Sequence, residues 1–125
     1  MGQGVIADGM RIEWDVPITM DDGVVLRADI FRPIKDGHYP AILTYGAYGK
    51  GVSFQEGFKS AWDKMVRDYP ETTRGTTGKY QVFELCDPER WVPDDYAIVR
   101  VDSRGSGRSP GFMDLKSIRE TKDIY

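Results

Sequence analysis

Several residue types are scarce in this chain, and each scarcity excludes something. A single cysteine, Cys86, among 125 residues allows no internal disulfide, so a reducing, cytoplasmic setting is expected. A single histidine, His38, leaves one imidazole for acid–base work. No apolar run approaches the ~18 residues of a membrane span. The start, Met1-Gly2-Gln3-Gly4-Val5-Ile6, has neither the basic residues nor the apolar stretch of a secretory signal, and Ile6 stands where a myristoylation signal has Ser or Thr. Positive charge is not in excess either: 17 Lys and Arg face 20 Asp and Glu, a net charge of -3. Nucleic acid and membrane are therefore not expected as partners.

What is present is ordinary for a folded domain. The hydrophobic set makes up 40% of the chain, which excludes a disordered, collagen-like or coiled-coil protein, and the length allows one domain. From Arg11 to Met20 the residues Ile12, Trp14, Val16, Ile18 and Met20 alternate with polar ones, the period of a half-buried strand. Asp21-Asp22-Gly23 then supplies a turn, and Val24 to Phe31 resumes the alternation before Pro33, predicting an antiparallel hairpin. Pro40 launches Ala41 to Tyr45, and Tyr96 to Val101 forms a second such run. Both lack alternation, which suits strands buried on both faces.

Between them, Phe54, Phe58, Trp62, Met65, Val66 and Tyr69 recur at spacings of four and three. That predicts an amphipathic helix from Ser53, its N-cap, to Tyr69, with Pro70 just past its end. Glu71 to Tyr80 reads as an exposed loop. Asp87-Pro88 reads as an N-cap and first helical residue, opening one turn that buries Trp91. Trp62, Trp91 and the helix aromatics are expected in the core. The residues from about Ser117 to Tyr125 have helical composition. Strand, helix, strand with unalternating strands is a βαβ unit with a right-handed crossover, so the expected fold class is α/β: an antiparallel hairpin leading into a parallel sheet.

The densest motif is Asp102-Ser103-Arg104-Gly105-Ser106-Gly107-Arg108-Ser109-Pro110-Gly111, at the carboxyl end of a buried strand, where open α/β sheets bind ligands. A dinucleotide loop needs a third glycine opening a helix, and here that position is Pro110. Gly107-Arg108-Ser109-Pro110-Gly111 matches the Gly-x-Ser-x-Gly pattern of a nucleophile elbow, but Pro110 has no N–H to offer an oxyanion and pushes Ser109 into extended backbone. A Ser109 nucleophile would also depend on His38, a loop histidine. The remaining reading is structural: Asp102 accepts hydrogen bonds from loop amides, the glycines let the chain bend against the sheet, and Arg104 or Arg108 pairs with Asp102 or a helix carboxylate.

The pattern Asp102-x-Arg104-Gly105-x-Gly107-x-Ser109-x-Gly111 followed by Glu120-x-x-Asp123 resembles the cocaine esterase and X-Pro dipeptidyl-peptidase (S15) serine hydrolases. Asp22-Gly23-Val24-x-Leu26-x-Ala28-Asp29-x-Phe31-x-Pro33 is similar to their first two strands. Pro40-Ala41-Ile42-Leu43 with Ala47-Tyr48-Gly49-Lys50 is similar to their third strand and the loop beyond it. The resemblance runs from about Arg11 to Tyr125. It implies that residues 1–125 are the N-terminal part of an α/β-hydrolase domain, acting on small acyl esters or X-Pro peptides through an acyl-enzyme. The nucleophile, acid and base would lie beyond Tyr125, and the segment alone would be inactive.

One catalytic element is implied within the chain, Tyr48, whose hydroxyl would donate to the oxyanion, with Tyr45 as the rival at the strand end. Asp102, Arg104, Gly105, Gly107, Ser109 and Gly111 would be structural. No metal and no cofactor is called for. The alternative is a non-catalytic α/β module that uses the Gly105–Gly111 loop to bind an anion or a partner protein.

A chain lacking the later strands would leave one side of the Ala41–Tyr45 strand open, and such edges recruit other chains. The isolated 125 residues are therefore expected to be marginally stable, to self-associate or to need a complementary chain. Thermal melting and sedimentation of the isolated segment test this: a sharp two-state melt of a monomer at low concentration would count against it.

Overall fold

The computed structural model describes residues 4–125; Met1–Gln3, part of the start examined for a signal or myristoylation motif, lies outside the described residues. The alternating segments form β2 (Met10–Thr19) and β3 (Val25–Arg32), paired antiparallel with Ile12 opposite Phe31 and Ile18 opposite Leu26. The turn between them closes through Gly23, at φ 87, whose amide donates to the Met20 carbonyl at 3.0 Å. The register shifts between Glu13 and Val16, where Asp15 takes a φ of 53. A short β1 (Val5–Ala7) precedes them and folds back on β2 through Asp8-Gly9. This strand is additional to the hairpin expected from the sequence, and Asp-Gly is a favoured dipeptide for its two-residue turn.

β4 (Ala41–Gly46) and β5 (Ala97–Asp102) run parallel, with Ala41 opposite Ala97 and Gly46 opposite Asp102. The strand order is β1-β2-β3-β5-β4, with β5 antiparallel to β3. β5 is thus interior to the sheet, and Ile98, Arg100, Val101 and Asp102 are all buried. β4 does not meet the expectation of a strand buried on both faces. Among the described residues it pairs only with β5, as the last strand of the sheet, and Leu43 is 51% exposed.

Each face of the sheet carries its own core. Met10, Ile12, Phe31, Val92 and Ile98 pack on one side. Leu26, Ala28 and Val101 pack on the other, flanked by Tyr45 and Val99. The predicted long helix is two pieces, α1 (Phe54–Gly57) and α2 (Lys59–Asp68). Ser53 caps the first, its Oγ accepting from the Glu56 amide at 3.3 Å. The break follows Gly57, a poor helix former, where a Cβ would come within 2.4 Å of Val52 Cγ1.

Neither helix buries a residue, so Trp62 and the helix aromatics are not core residues. Phe54 and Phe58 instead pack on Phe83, with Trp62 edge-on to Phe54, as a half-exposed aromatic group. α3 (Pro88–Trp91) has the expected Asp87 cap, but its single turn buries Pro88, and Val92 follows it inward. Trp91 remains 40% exposed, edge-on to Tyr96, because a four-residue helix turns only one narrow side to the sheet. α4 (Ile118–Ile124) starts on Ser117, whose Oγ accepts from the Glu120 amide at 3.1 Å. Among the described residues no helix is long and apolar enough to cross a membrane.

Ile98 joins β5 to both its neighbours with no exposed surface. Ile98→Ala is expected to cost about 2–5 kcal/mol, read from urea denaturation; a loss under about 1 kcal/mol would contradict its central place.

Candidate functional site

Because β4 and β5 are parallel and in register, Gly46 and Asp102 end side by side, and the loops that follow leave the same edge of the sheet. Hydrogen bonds lace the two loops together. The Ser103 amide donates to the Gly46 carbonyl at 2.9 Å, Ser106 Oγ to the Ala47 carbonyl at 2.8 Å, and the Lys50 amide to Asp102 Oδ1 at 2.6 Å. Between these ties stands Tyr48, 61% exposed, its ring edge-on to Phe83 with centroids 5.9 Å apart. A small cavity of about 30 Å³ beside it is lined by Thr44, Lys50, Phe83, Arg100 and Asp102 among others.

Tyr45 faces elsewhere. Its hydroxyl accepts from the Arg104 amide and donates to Asp123 Oδ2, each at 3.4 Å. Burial raises the pKa of this phenol, and the nearby Asp123 and Glu120 carboxylates add to the effect. Of the two tyrosines, only Tyr48 presents its ring to solvent at the carboxyl edge.

The glycine-rich loop wraps around Asp102. That carboxylate is buried and accepts from the Lys50 amide on Oδ1 and from the Arg108 amide on Oδ2, the latter at 2.9 Å. Gly107, at φ 52, lies so close that a Cβ would stand 2.2 Å from Asp102 Oδ2. Gly105, at φ 75, meets the Met113 amide in the same way, at 2.3 Å. Only a residue without a side chain fits such approaches. Gly111 lies against the Arg104 side chain.

Ser109 is buried, its Oγ donating to the Asp102 carbonyl at 2.6 Å and accepting from the Arg27 amide at 2.9 Å. It therefore bridges β5 and β3. His38 is exposed in the connector before β4. It enters at the amino end of that strand, whereas Ser109 follows the carboxyl end of β5. Six residues of strand, about 20 Å at ~3.3 Å each, separate the two levels. The amides of Gly105, Ser106, Arg108 and Ser109 all donate within the protein, which leaves this loop few donors for an anion.

Arg104 does not pair with Asp102. Its guanidinium forks onto two carboxylates, Asp123 on α4 (Nε–Oδ2 2.9 Å) and Asp22 in the β2–β3 turn (Nη1–Oδ2 2.7 Å). Arg119 joins Asp123 to Asp21. Hydrogen bonding to Arg104 holds Asp22 down at about 2 and lowers Asp123 as well, where Arg119 assists. The Arg108 guanidinium also avoids Asp102 and approaches Asp15 at 3.7 Å.

A buried charge cluster escaped the sequence reading. Lys50 Nζ donates to Asp29 Oδ1 at 2.8 Å and to Asp15 Oδ1 at 2.5 Å, and Asp29 Oδ1 also accepts the Asp15 amide at 3.0 Å. Nearby, buried Arg100 donates to the Tyr80 and Cys86 carbonyls at 2.6 and 2.7 Å and lies over the Phe31 ring. The available signal was Arg100, a charged residue inside the unalternating strand Ala97–Asp102; Asp29 falls among the polar positions of an alternating strand and offered none.

Residues 22–125 match the family described as X-Pro dipeptidyl-peptidase (S15 family). No curated protein matches the chain. Among solved structures, a CocE/NonD family hydrolase from Staphylococcus aureus is 35% identical with a TM-score of 0.72, the match covering 93% of this chain and 19% of that one. An aminopeptidase from a marine sediment Thaumarchaeota archaeon is 21% identical over 94% of this chain and 18% of its own, with a TM-score of 0.57. An α-amino acid ester hydrolase is 22% identical over 89% and 16%, with a TM-score of 0.51. The last two likenesses concern the fold. The chain spans about a fifth of the length of these proteins.

The Arg104 fork has a pH signature. A carboxylate depressed in the folded state contributes stability above its unfolded pKa, about 3.9, and that contribution is lost as pH falls through the folded value, about 2 for Asp22. Stability is therefore expected to fall between pH ~4 and ~2. Arg104→Met should lower neutral-pH stability and flatten that slope in urea titrations followed by tryptophan fluorescence; an unchanged slope would sink the assignment.

Proposed function

From a chain that belongs to the X-Pro dipeptidyl-peptidase (S15) family, we propose that residues 1–125 form the N-terminal part of an α/β-hydrolase domain in a serine hydrolase. The complete enzyme cleaves ester or amide bonds of small acyl esters or X-Pro peptides through an acyl-enzyme. Its nucleophile, acid and base come from outside these residues, so the segment alone does not turn over substrate. The single cysteine fits a cytoplasmic enzyme that relies on no disulfide.

The observation that carries this reading is the setting of Tyr48. Its phenol stands exposed on a loop pinned at the carboxyl edge of the parallel strands. A phenolic O–H held there suits one task in acyl transfer, donating a hydrogen bond to the oxygen that becomes negative in the tetrahedral intermediate. The donor must be fixed before the charge develops, since a group that reorganises during the reaction returns part of the gain. Tyr45 is less suited, because its hydroxyl is engaged with Asp123 and Arg104. Ser109 and His38 are unsuited as a nucleophile–base pair, lying at different levels of the sheet with the serine hydroxyl used twice.

The test uses the complete protein and a small acyl ester. Tyr48→Phe is expected to lower kcat about 100- to 1,000-fold with KM little changed, since the lost bond forms in the transition state. A serine-directed phosphonate should label one serine outside residues 1–125. Labelling of Ser109, or an undiminished kcat in Tyr48→Phe, would overturn the respective part of the proposal.

A further inference from the structure

We infer that Lys50 is a positioning residue for Tyr48, clamping the loop that presents the phenol. The inference rests on the oxyanion role proposed for Tyr48 and extends it to a residue on the far side of the loop. The loop has high intrinsic freedom: Gly46, Gly49 and Gly51 make up half of the six residues from 46 to 51, and Gly49 has a φ of 84. Glycine is the residue whose ordering costs most entropy, so a side chain mounted among three of them needs an external anchor.

Lys50, two residues past Tyr48, supplies that anchor at both of its ends. Its amide donates to Asp102 Oδ1 at 2.6 Å, tying the loop to β5. Its ammonium reaches to the other side and donates to Asp29 on β3 and to Asp15 in the β2 bulge. One residue thereby fastens the loop to three strands, and its side chain is 4% exposed.

The same geometry removes Lys50 from direct chemistry. The ammonium is engaged by the Asp29 and Asp15 carboxylates. Burial works against its charge, but the hydrogen bonds it donates to Asp15 and Asp29 outweigh it and hold the pKa above the ordinary lysine value. A protonated lysine fixed in this way does not accept a proton. The bulge has a stated use in this arrangement: the positive φ of Asp15 brings its carboxylate to Lys50 while its amide bonds Asp29.

Removing the anchor should misplace the oxyanion donor, and a displacement of about 1 Å can cost on the order of 100-fold in rate. The experiment is a kinetic cycle in the complete enzyme with a small acyl ester. Lys50→Met is expected to lower kcat about 10- to 100-fold with KM within about threefold of the parent, and Lys50→Arg, which can still span both carboxylates, should restore most of the loss. In a Tyr48→Phe background, Lys50→Met should lower kcat by less than about threefold further, because the group it positions is already gone. Lys50→Met leaves Asp29 unpaired, so Asp29→Asn with Lys50→Met serves as the second variant: removing this buried pair relieves the fold but leaves the loop without its side-chain tie to β3, and kcat should still fall.

A loss of equal size with and without the Tyr48 hydroxyl, or an unchanged kcat in the Lys50→Met, Asp29→Asn double variant, would overturn the positioning role and leave the Tyr48 reading intact. A full kcat in Tyr48→Phe alone would instead remove the Tyr48 reading, and the positioning role with it.

Discussion

A buried carboxylate at the end of the interior strand organises the rest of this structure. Asp102 has lost its water and is satisfied by main-chain amides from two different loops, Lys50 after β4 and Arg108 after β5. Hydrogen bonds to a charged group contribute about 1.5–3 kcal/mol each, and leaving such a group unsatisfied costs more. The loops consequently have little choice of path. Gly107 must be glycine because the carboxylate fills the space a side chain would take, and Ser109 must turn inward to reach the Asp102 carbonyl.

A second set of charges repeats this logic around the Lys50 ammonium. Lys50, Asp29 and Asp15 are gathered beneath the Tyr48 loop, and breaking a buried pair of this kind by removing one partner typically costs about 3–5 kcal/mol. On the other side of the sheet, the Arg104 fork couples the hairpin turn to α4. Each network joins segments far apart in sequence, Asp22 to Arg104 and Asp29 to Lys50, so each acts as a long-range tie where the apolar packing is thin. The consequence is that the loop after β4 is tied at several points to the strands around it.

Much of the architecture was legible because it depends on short-range rules. The period-two alternation in β2 and β3, the Asp21-Asp22-Gly23 turn, the Ser53 and Asp87 caps and the two unalternating strands all follow from local backbone geometry and burial. The β1 hairpin has a local signal in Asp8-Gly9, but three residues of strand carry little pattern. Burial was read less well. Trp62 and Trp91 are large and apolar, yet their exposure depends on which elements lie opposite, and the described residues place little over α2 or the outer side of α3.

The candidate site divides in the same way. The sequence by itself determined that a glycine-rich loop follows a strand ending in Asp102, that Tyr48 sits in the loop after a parallel strand, and that one cysteine and one histidine leave little for disulfide or imidazole chemistry. Those properties reside in residue type and neighbouring positions. Only the tertiary structure decided that Tyr45 turns toward α4 while Tyr48 faces solvent, that Arg104 pairs with Asp22 and Asp123, and that Lys50 runs beneath its own loop to Asp29 and Asp15. These are choices among partners of equal chemistry, and a charged or phenolic side chain is committed to one of them only when the strand order and the β2 bulge bring that partner within hydrogen-bonding distance.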